Sequence, residues 1–111
     1  MLNVTDETFA TEVIEASKKV PVLMDVWADW CTSCKAMMPV VSSIASEYGD
    51  RLKVVKVEAE ESGRGVVTDY EIRSLPTFML FVGGEVVERW SGPRARSFIE
   101  KTVAEYVVTA L

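Results

Sequence analysis

The run Val22-Leu23-Met24-Asp25-Val26-Trp27 is apolar at odd and even positions alike, with Asp25 as the exception. Successive side chains of a strand point to opposite faces, so a strand of this composition has to be covered on both sides. That requirement calls for a sheet with helices above and below it. Both cysteines of the chain, Cys31 and Cys34, follow at once. From Cys34 onward Met37, Met38, Val41, Ile44, Ala45 and Tyr48 recur at helical spacing until Gly49 offers a C-terminal stop. Pro39 is expected to kink this helix one turn after the cysteines. The cysteine pair thus sits between a buried strand and the start of a helix.

The remaining elements follow from local signals. Leu2 to Val4 reads as a short strand, and Thr5 or Asp6 is expected to cap a helix with Phe9, Val13 and Ile14 on one side and Lys18 and Lys19 in its last turn. Leu52 to Val57 reads as a strand rich in β-branched residues. A helix is expected around Val66 to Tyr70, weakened by Gly63 and Gly65. Thr77 to Val82 and Glu85 to Trp90, joined by Gly83-Gly84, read as a β-hairpin. Pro93 marks the expected start of a last helix, with Phe98, Ile99, Val103, Tyr106 and Val107 on one face toward the C-terminus. Helical crossovers early imply parallel pairs and the glycine turn implies an antiparallel one. The expected fold is therefore α/β, a central mixed five-stranded sheet flanked by four helices. At 111 residues the chain suits one domain, over 1–111.

Composition removes several kinds of chemistry. There is no histidine, which excludes imidazole bases, Cys-His nucleophiles and imidazole metal sites. With 12 Lys plus Arg against 17 Asp plus Glu, the net charge is -5 and no basic cluster could track a phosphate backbone, so no nucleic-acid partner is expected. No stretch approaches the roughly 18 apolar residues of a membrane span, and no secretory signal is recognised. Two closely spaced cysteines do not make a secreted disulfide scaffold, so the cytoplasm is the expected compartment.

Two cysteines separated by two residues can close a small disulfide loop. At a helix N-terminus the first sulfur meets unpaired N–H groups and the positive end of the dipole, which favours the nucleophilic thiolate. The alternatives are a pair of inert buried thiols, half of a zinc site, or a copper-carrying motif. Zinc normally needs four ligands, and a second Cys pair or His is missing. Asp25 would cost several kcal/mol if buried, charged and unpaired, so it should have a raised pKa or a partner, and Lys56 on the next strand is the obvious one. Pro76 by itself is compatible with the first position of a strand.

Taken together, Asp25, Trp27-Ala28-Asp29-Trp30-Cys31, Cys34-Lys35, Pro39, Lys56, Ile72-Arg73-Ser74-Leu75-Pro76-Thr77, Gly84 and Gly92 resemble the thioredoxin family over essentially the full chain. The resemblance implies the thioredoxin fold and a protein-disulfide reductase with a redox-active Cys31–Cys34 disulfide, no bound cofactor and no metal. It makes Cys31 the attacking and Cys34 the resolving thiol, in keeping with a surface position for Cys31 and desolvation of Cys34 one turn inside. It makes Asp25 the proton acceptor for the resolving thiol, tuned by Lys56. It also makes Leu75-Pro76 a cis bond facing Cys31, with Trp30, Leu75, Pro76, Gly92 and Trp90 forming a docking surface for extended substrate, and Trp27 a support beneath it. Implied partners are disulfide-containing proteins and a thioredoxin reductase drawing on NADPH. A monomer working in electron transport and cell redox homeostasis is expected.

The chain departs from the family between the cysteines, where Thr32-Ser33 replaces the usual Gly-Pro. Ser33 restores a backbone N–H, and both hydroxyls can donate toward a sulfur anion, so a less reducing couple is expected. Glu71 and Ser74 replace usual glycines, and Glu58, Glu60 and Glu61 form an acidic rim. Two other readings stay open beside the general reductase: a dedicated thiol oxidant, isomerase or electron relay on the same fold, and a metal-carrying or binding module that does not turn over.

Overall fold

The computed structural model describes residues 1–107. Strands β1 (Leu2–Val4), β2 (Val22–Trp27), β3 (Lys53–Glu58), β4 (Thr77–Val82) and β5 (Glu85–Ser91) form one sheet in the order β1-β3-β2-β4-β5. The pairs β1–β3 and β3–β2 are parallel, and β2–β4 and β4–β5 are antiparallel. β2 is therefore the central strand, flanked on both edges, as its two-sided apolarity requires. Helices α1 (Thr32–Tyr48), α2 (Arg64–Asp69) and α3 (Arg96–Ala104) join an N-terminal helical segment that is π-helical over Ala10–Glu15 and 3-10 over Ala16–Lys18.

Alternation along β2 divides the core into two layers. Val22, Met24 and Val26 pack with Val13, Val66 and Phe81 on the side of the N-terminal segment and α2. Leu23 packs with Met37, Ile44, Phe78 and Ile99 on the side of α1 and α3. The N-terminal segment docks through Phe9, whose ring meets Tyr70 and Phe81 edge-on with centroids 5.6 Å and 5.9 Å away. Arg96 ties α3 to α1 through Ser43 and Glu47. Gly83 and Gly84 take φ 63° and 87°, the left-handed pair that matches the twist of a tight hairpin.

Several expectations are corrected. Asp6 does not cap the segment that follows it. Its carboxylate accepts the N–H groups of Gly65 (2.9 Å) and Val66 (3.0 Å), capping α2 from another part of the chain. At the N-terminal segment Thr8 Oγ1 accepts the Thr5 N–H instead. The last helix begins at Arg96, not Pro93, because Ala95 is still extended (φ -63°, ψ 149°). It ends at Ala104, with Tyr106 and Val107 packed beyond it, and the rest of its expected run, 108–111, lies outside the described residues. α1 continues through Pro39, where the carbonyl four residues earlier loses its helical donor.

Two backbone positions make opposite demands on residue type. Gly63 has no room for a Cβ, which would lie 2.2 Å from Val57 Cγ1 and 2.5 Å from the Glu58 carbonyl oxygen. Glu71 is the one non-glycine residue with positive φ, 50°, among the described residues. We expect Gly63→Ala to destabilise the protein by about 2 kcal/mol or more. Glu71→Gly should be neutral to stabilising, by up to about 1 kcal/mol, because relief of left-handed strain competes with added chain entropy. Urea midpoints of the two variants check this, and a stable Gly63→Ala protein would contradict the packing described.

Candidate active site

β2 ends at Trp27, and a short turn in which the Cys31 N–H donates to the Ala28 carbonyl (3.1 Å) leads into α1. Cys31 is the N-cap of that helix, extended at φ -84° and ψ 101°. Its sulfur occupies the place that a Ser or Asp oxygen takes in ordinary caps, accepting the Cys34 N–H at 3.2 Å. Cys31 and Cys34 form a disulfide, with Cα atoms 5.3 Å apart. When that bond is reduced, the same N–H and the helix dipole favour negative charge on Cys31.

The dipeptide between them acts through one of its two side chains. Ser33 Oγ lies 3.5 Å from Cys31 Sγ, whereas the Thr32 hydroxyl makes no hydrogen bond among the described residues. The amide that donates to the sulfur is that of Cys34, so the N–H that Ser33 has in place of a proline is not the one bonded there. Cys31 is also less open than expected. It retains 4% of its accessible surface against 0% for Cys34, because Trp27 and Leu75 pack against the small cluster made by Ala28 and the two cysteines.

Leu75-Pro76 is cis. Pro76 accepts the Gly92 N–H on its carbonyl at 2.8 Å, which joins the end of β5 to the loop beside the disulfide. Trp30 is 65% exposed and, with Val67, Ile72, Leu75, Glu60 and Arg73, lines a groove of about 240 Å³. Trp30 and Leu75 thus share one groove, Leu75 also packs on the cysteine cluster, and the adjoining Pro76 is bonded to Gly92. Trp90 is not among them. It is 8% exposed, stacked on Phe78 at 5.4 Å and met edge-on by Phe98, so it is a core residue. Val67 and Ile72, which line the groove, were missed as site residues. Val67 lies in the expected helix and Ile72 just past it, and local pattern marks both as apolar without saying that they line a groove.

Asp25 is fully buried, and neither carboxylate oxygen has a hydrogen-bond partner among the described residues. It stands in register with Lys56 on β3 and Phe78 on β4. The expected Asp25–Lys56 ion pair is not formed. Lys56 Nζ lies instead 5.6 Å from the centroid of the Trp27 ring, a cation–π position. Desolvation raises the Asp25 pKa to about 7, and the charge of Lys56 opposes that rise without cancelling it. The cysteine cluster therefore offers a helix-capping sulfur and a buried second cysteine, and the strand that leads into it carries a carboxyl group that can exchange a proton near neutral pH. Among the described residues no three His, Cys, Asp or Glu side chains are grouped as metal ligands would be.

The comparisons with known proteins agree with this geometry. A family model described as Thioredoxin matches residues 1–105. The chain is 46% identical over 104 residues to a protein named thioredoxin M-type, chloroplastic, from Chlamydomonas reinhardtii, covering 94% of this chain and 72% of that one. It is 41% identical over 104 residues to thioredoxin 1 of a Nostoc species, covering 94% of each. It is 42% identical over 104 residues to thioredoxin 1 of Synechococcus elongatus, again covering 94% of each.

The pKa of Asp25 has a direct stability signature. The folded carboxyl keeps its proton up to about pH 7, whereas the unfolded chain releases it near 3.8, so the contribution to stability is complete below the unfolded value and is lost as pH rises through the folded one. We expect Asp25→Asn, which cannot ionise, to gain stability relative to the parent by on the order of 2 kcal/mol between about pH 5 and about pH 8. Denaturant titrations at the two pH values measure this. Parallel profiles for the two proteins would remove Asp25 as the titrating group.

Proposed function

The chain belongs to the thioredoxin family and is a thiol–disulfide oxidoreductase of the protein-disulfide reductase kind; from that premise we propose how its residues divide the work. The observation that carries the reading is the Cys31 sulfur at the N-cap of α1, with the Cys34 N–H on it and, at Asp25, a buried carboxyl without a hydrogen-bond partner among the described residues. The Cys31 thiolate attacks one sulfur of a substrate disulfide, and the other substrate sulfur leaves as a thiolate that takes up a proton. Asp25 accepts the proton of Cys34, held near the necessary pKa by burial against the pull of Lys56. The Cys34 thiolate then attacks Cys31 Sγ, the bond to the substrate breaks, and the second substrate sulfur departs with the proton that Asp25 held. Two electrons and two protons have moved to the substrate, and Cys31–Cys34 is a disulfide again.

Trp30, Leu75, Pro76 and Gly92 dock the substrate as an extended segment laid against the loop, with the backbone of Leu75 as the pairing strand. A thioredoxin reductase drawing on NADPH returns the disulfide to the dithiol. The chain acts as a single domain over residues 1–111 and as a monomer, in electron transport and redox homeostasis of a reducing compartment such as the cytoplasm. Cysteine usage supports that compartment, since the two cysteines are committed to one exchangeable bond. No described helix is long and apolar enough to cross a membrane.

Thr32-Ser33 sets the potential mainly through Ser33. A hydroxyl within reach of Cys31 Sγ stabilises the reduced form, because charge develops on sulfur only there. We expect the Cys31–Cys34 couple to be tens of millivolts less reducing than the family's reference value of about -270 mV, and Ser33→Pro to move it back toward that value; roughly 30 mV is a tenfold change in equilibrium. Equilibration with glutathione or dithiothreitol buffers, read by Trp27 and Trp30 fluorescence, gives both potentials. A parent couple at or below the reference value would end the tuning argument. Cys31→Ser should abolish reduction of insulin disulfides, and activity surviving in that variant would overturn the assignment of the nucleophile.

A further inference from the structure

α2 has six residues, too few to hold a helix by propensity alone, and both of its ends are fixed from elsewhere in the chain. Asp6 takes the N–H groups at its start. At its end Arg89 on β5 donates Nη1 to the Tyr70 carbonyl at 2.6 Å and Nη2 to the Glu71 carbonyl at 3.1 Å. An acid at the N-terminus and a base at the C-terminus both suit the helix dipole. Among the described residues Arg89 makes no ion pair, so its guanidinium is committed to these two carbonyls.

The carbonyls that Arg89 holds lie at the root of the loop beside the disulfide. Glu71 turns the chain through its left-handed φ of 50°, and the next residues run directly to Leu75, which packs on the cysteine cluster, and Pro76. The far end of that loop is held by the Gly92 N–H on the Pro76 carbonyl. Arg89 lies near the end of β5 and Gly92 directly follows it, so this one stretch grips the loop at both roots. We propose that Arg89 is a positioning residue, fixing residues 72–76 against Cys31 so that a protein substrate meets a preformed edge. This rests on the reading that Leu75 and Pro76 dock the substrate.

The test compares second-order rate constants of the prereduced protein with insulin and with cystine, a disulfide too small to use the loop. Arg89→Met should slow insulin by roughly threefold to tenfold and leave cystine and the reduction potential unchanged. Arg89→Lys should recover part of the loss, since one charged donor remains. Leu75→Ala serves as the control for docking itself. If Leu75→Ala slows insulin and Arg89→Met does not, or if Arg89→Met slows both substrates equally, the positioning role is overturned while docking stands. If Leu75→Ala leaves insulin unchanged, the docking reading falls and the positioning role with it.

Discussion

The structure depends on covering β2 on both faces. A central strand whose Leu23 enters one layer and whose Met24 enters the other cannot be stable in any two-layer arrangement. It forces β3 and β4 onto its two edges and helices onto both sides of the sheet. The end of such a strand is where a following helix must begin, and the cysteines are placed there. The disulfide thus inherits its position from the core, not from a flexible loop.

Burial of Asp25 is the cost of that arrangement. A carboxyl in the middle of the central strand, in register between Lys56 and Phe78, has no hydrogen-bond partner among the described residues and is neutral over most of the acid range. Replacing it with an apolar residue would satisfy the core better, which is why a functional use for it is the economical explanation. The same trade recurs at Glu71, where a non-glycine residue is kept in a left-handed conformation at the start of the loop that meets the disulfide.

Features carried by local pattern were legible in the sequence. The two-sided strand, the helical spacing after Cys34, the glycine hairpin and the alignment of Asp25 with Lys56 all follow from periods of two and 3.6 residues or from turn chemistry, and all are found. The misreadings involve contacts between distant parts of the chain. Asp6 looks like a cap for the next helix because its true partners, Gly65 and Val66, are remote in sequence. Trp90 looks like a docking residue because nothing local says that Phe78 will stack on it. Cys31 looks exposed because nothing local says that Leu75, more than forty residues away, will pack on the cysteine cluster. Of the two outcomes expected for Asp25, a raised pKa or an ion pair with Lys56, the first is found, since a neighbouring strand position does not fix the direction of a long side chain.

The direction of the Lys56 side chain bears on how the site works. A direct ion pair would hold Asp25 ionised well below neutrality, and a carboxylate of that kind is a weak base. With the ammonium drawn over the Trp27 ring, Lys56 is felt through space but does not bind the carboxylate. Desolvation therefore remains the larger influence, and the carboxyl sits near pH 7, where accepting and returning a proton both cost little. On the proposed mechanism Asp25 must do each once per cycle, taking the Cys34 proton and giving it to the departing thiol. Trp27 thus meets both groups, packing against the cysteine cluster and offering a ring face to the Lys56 ammonium.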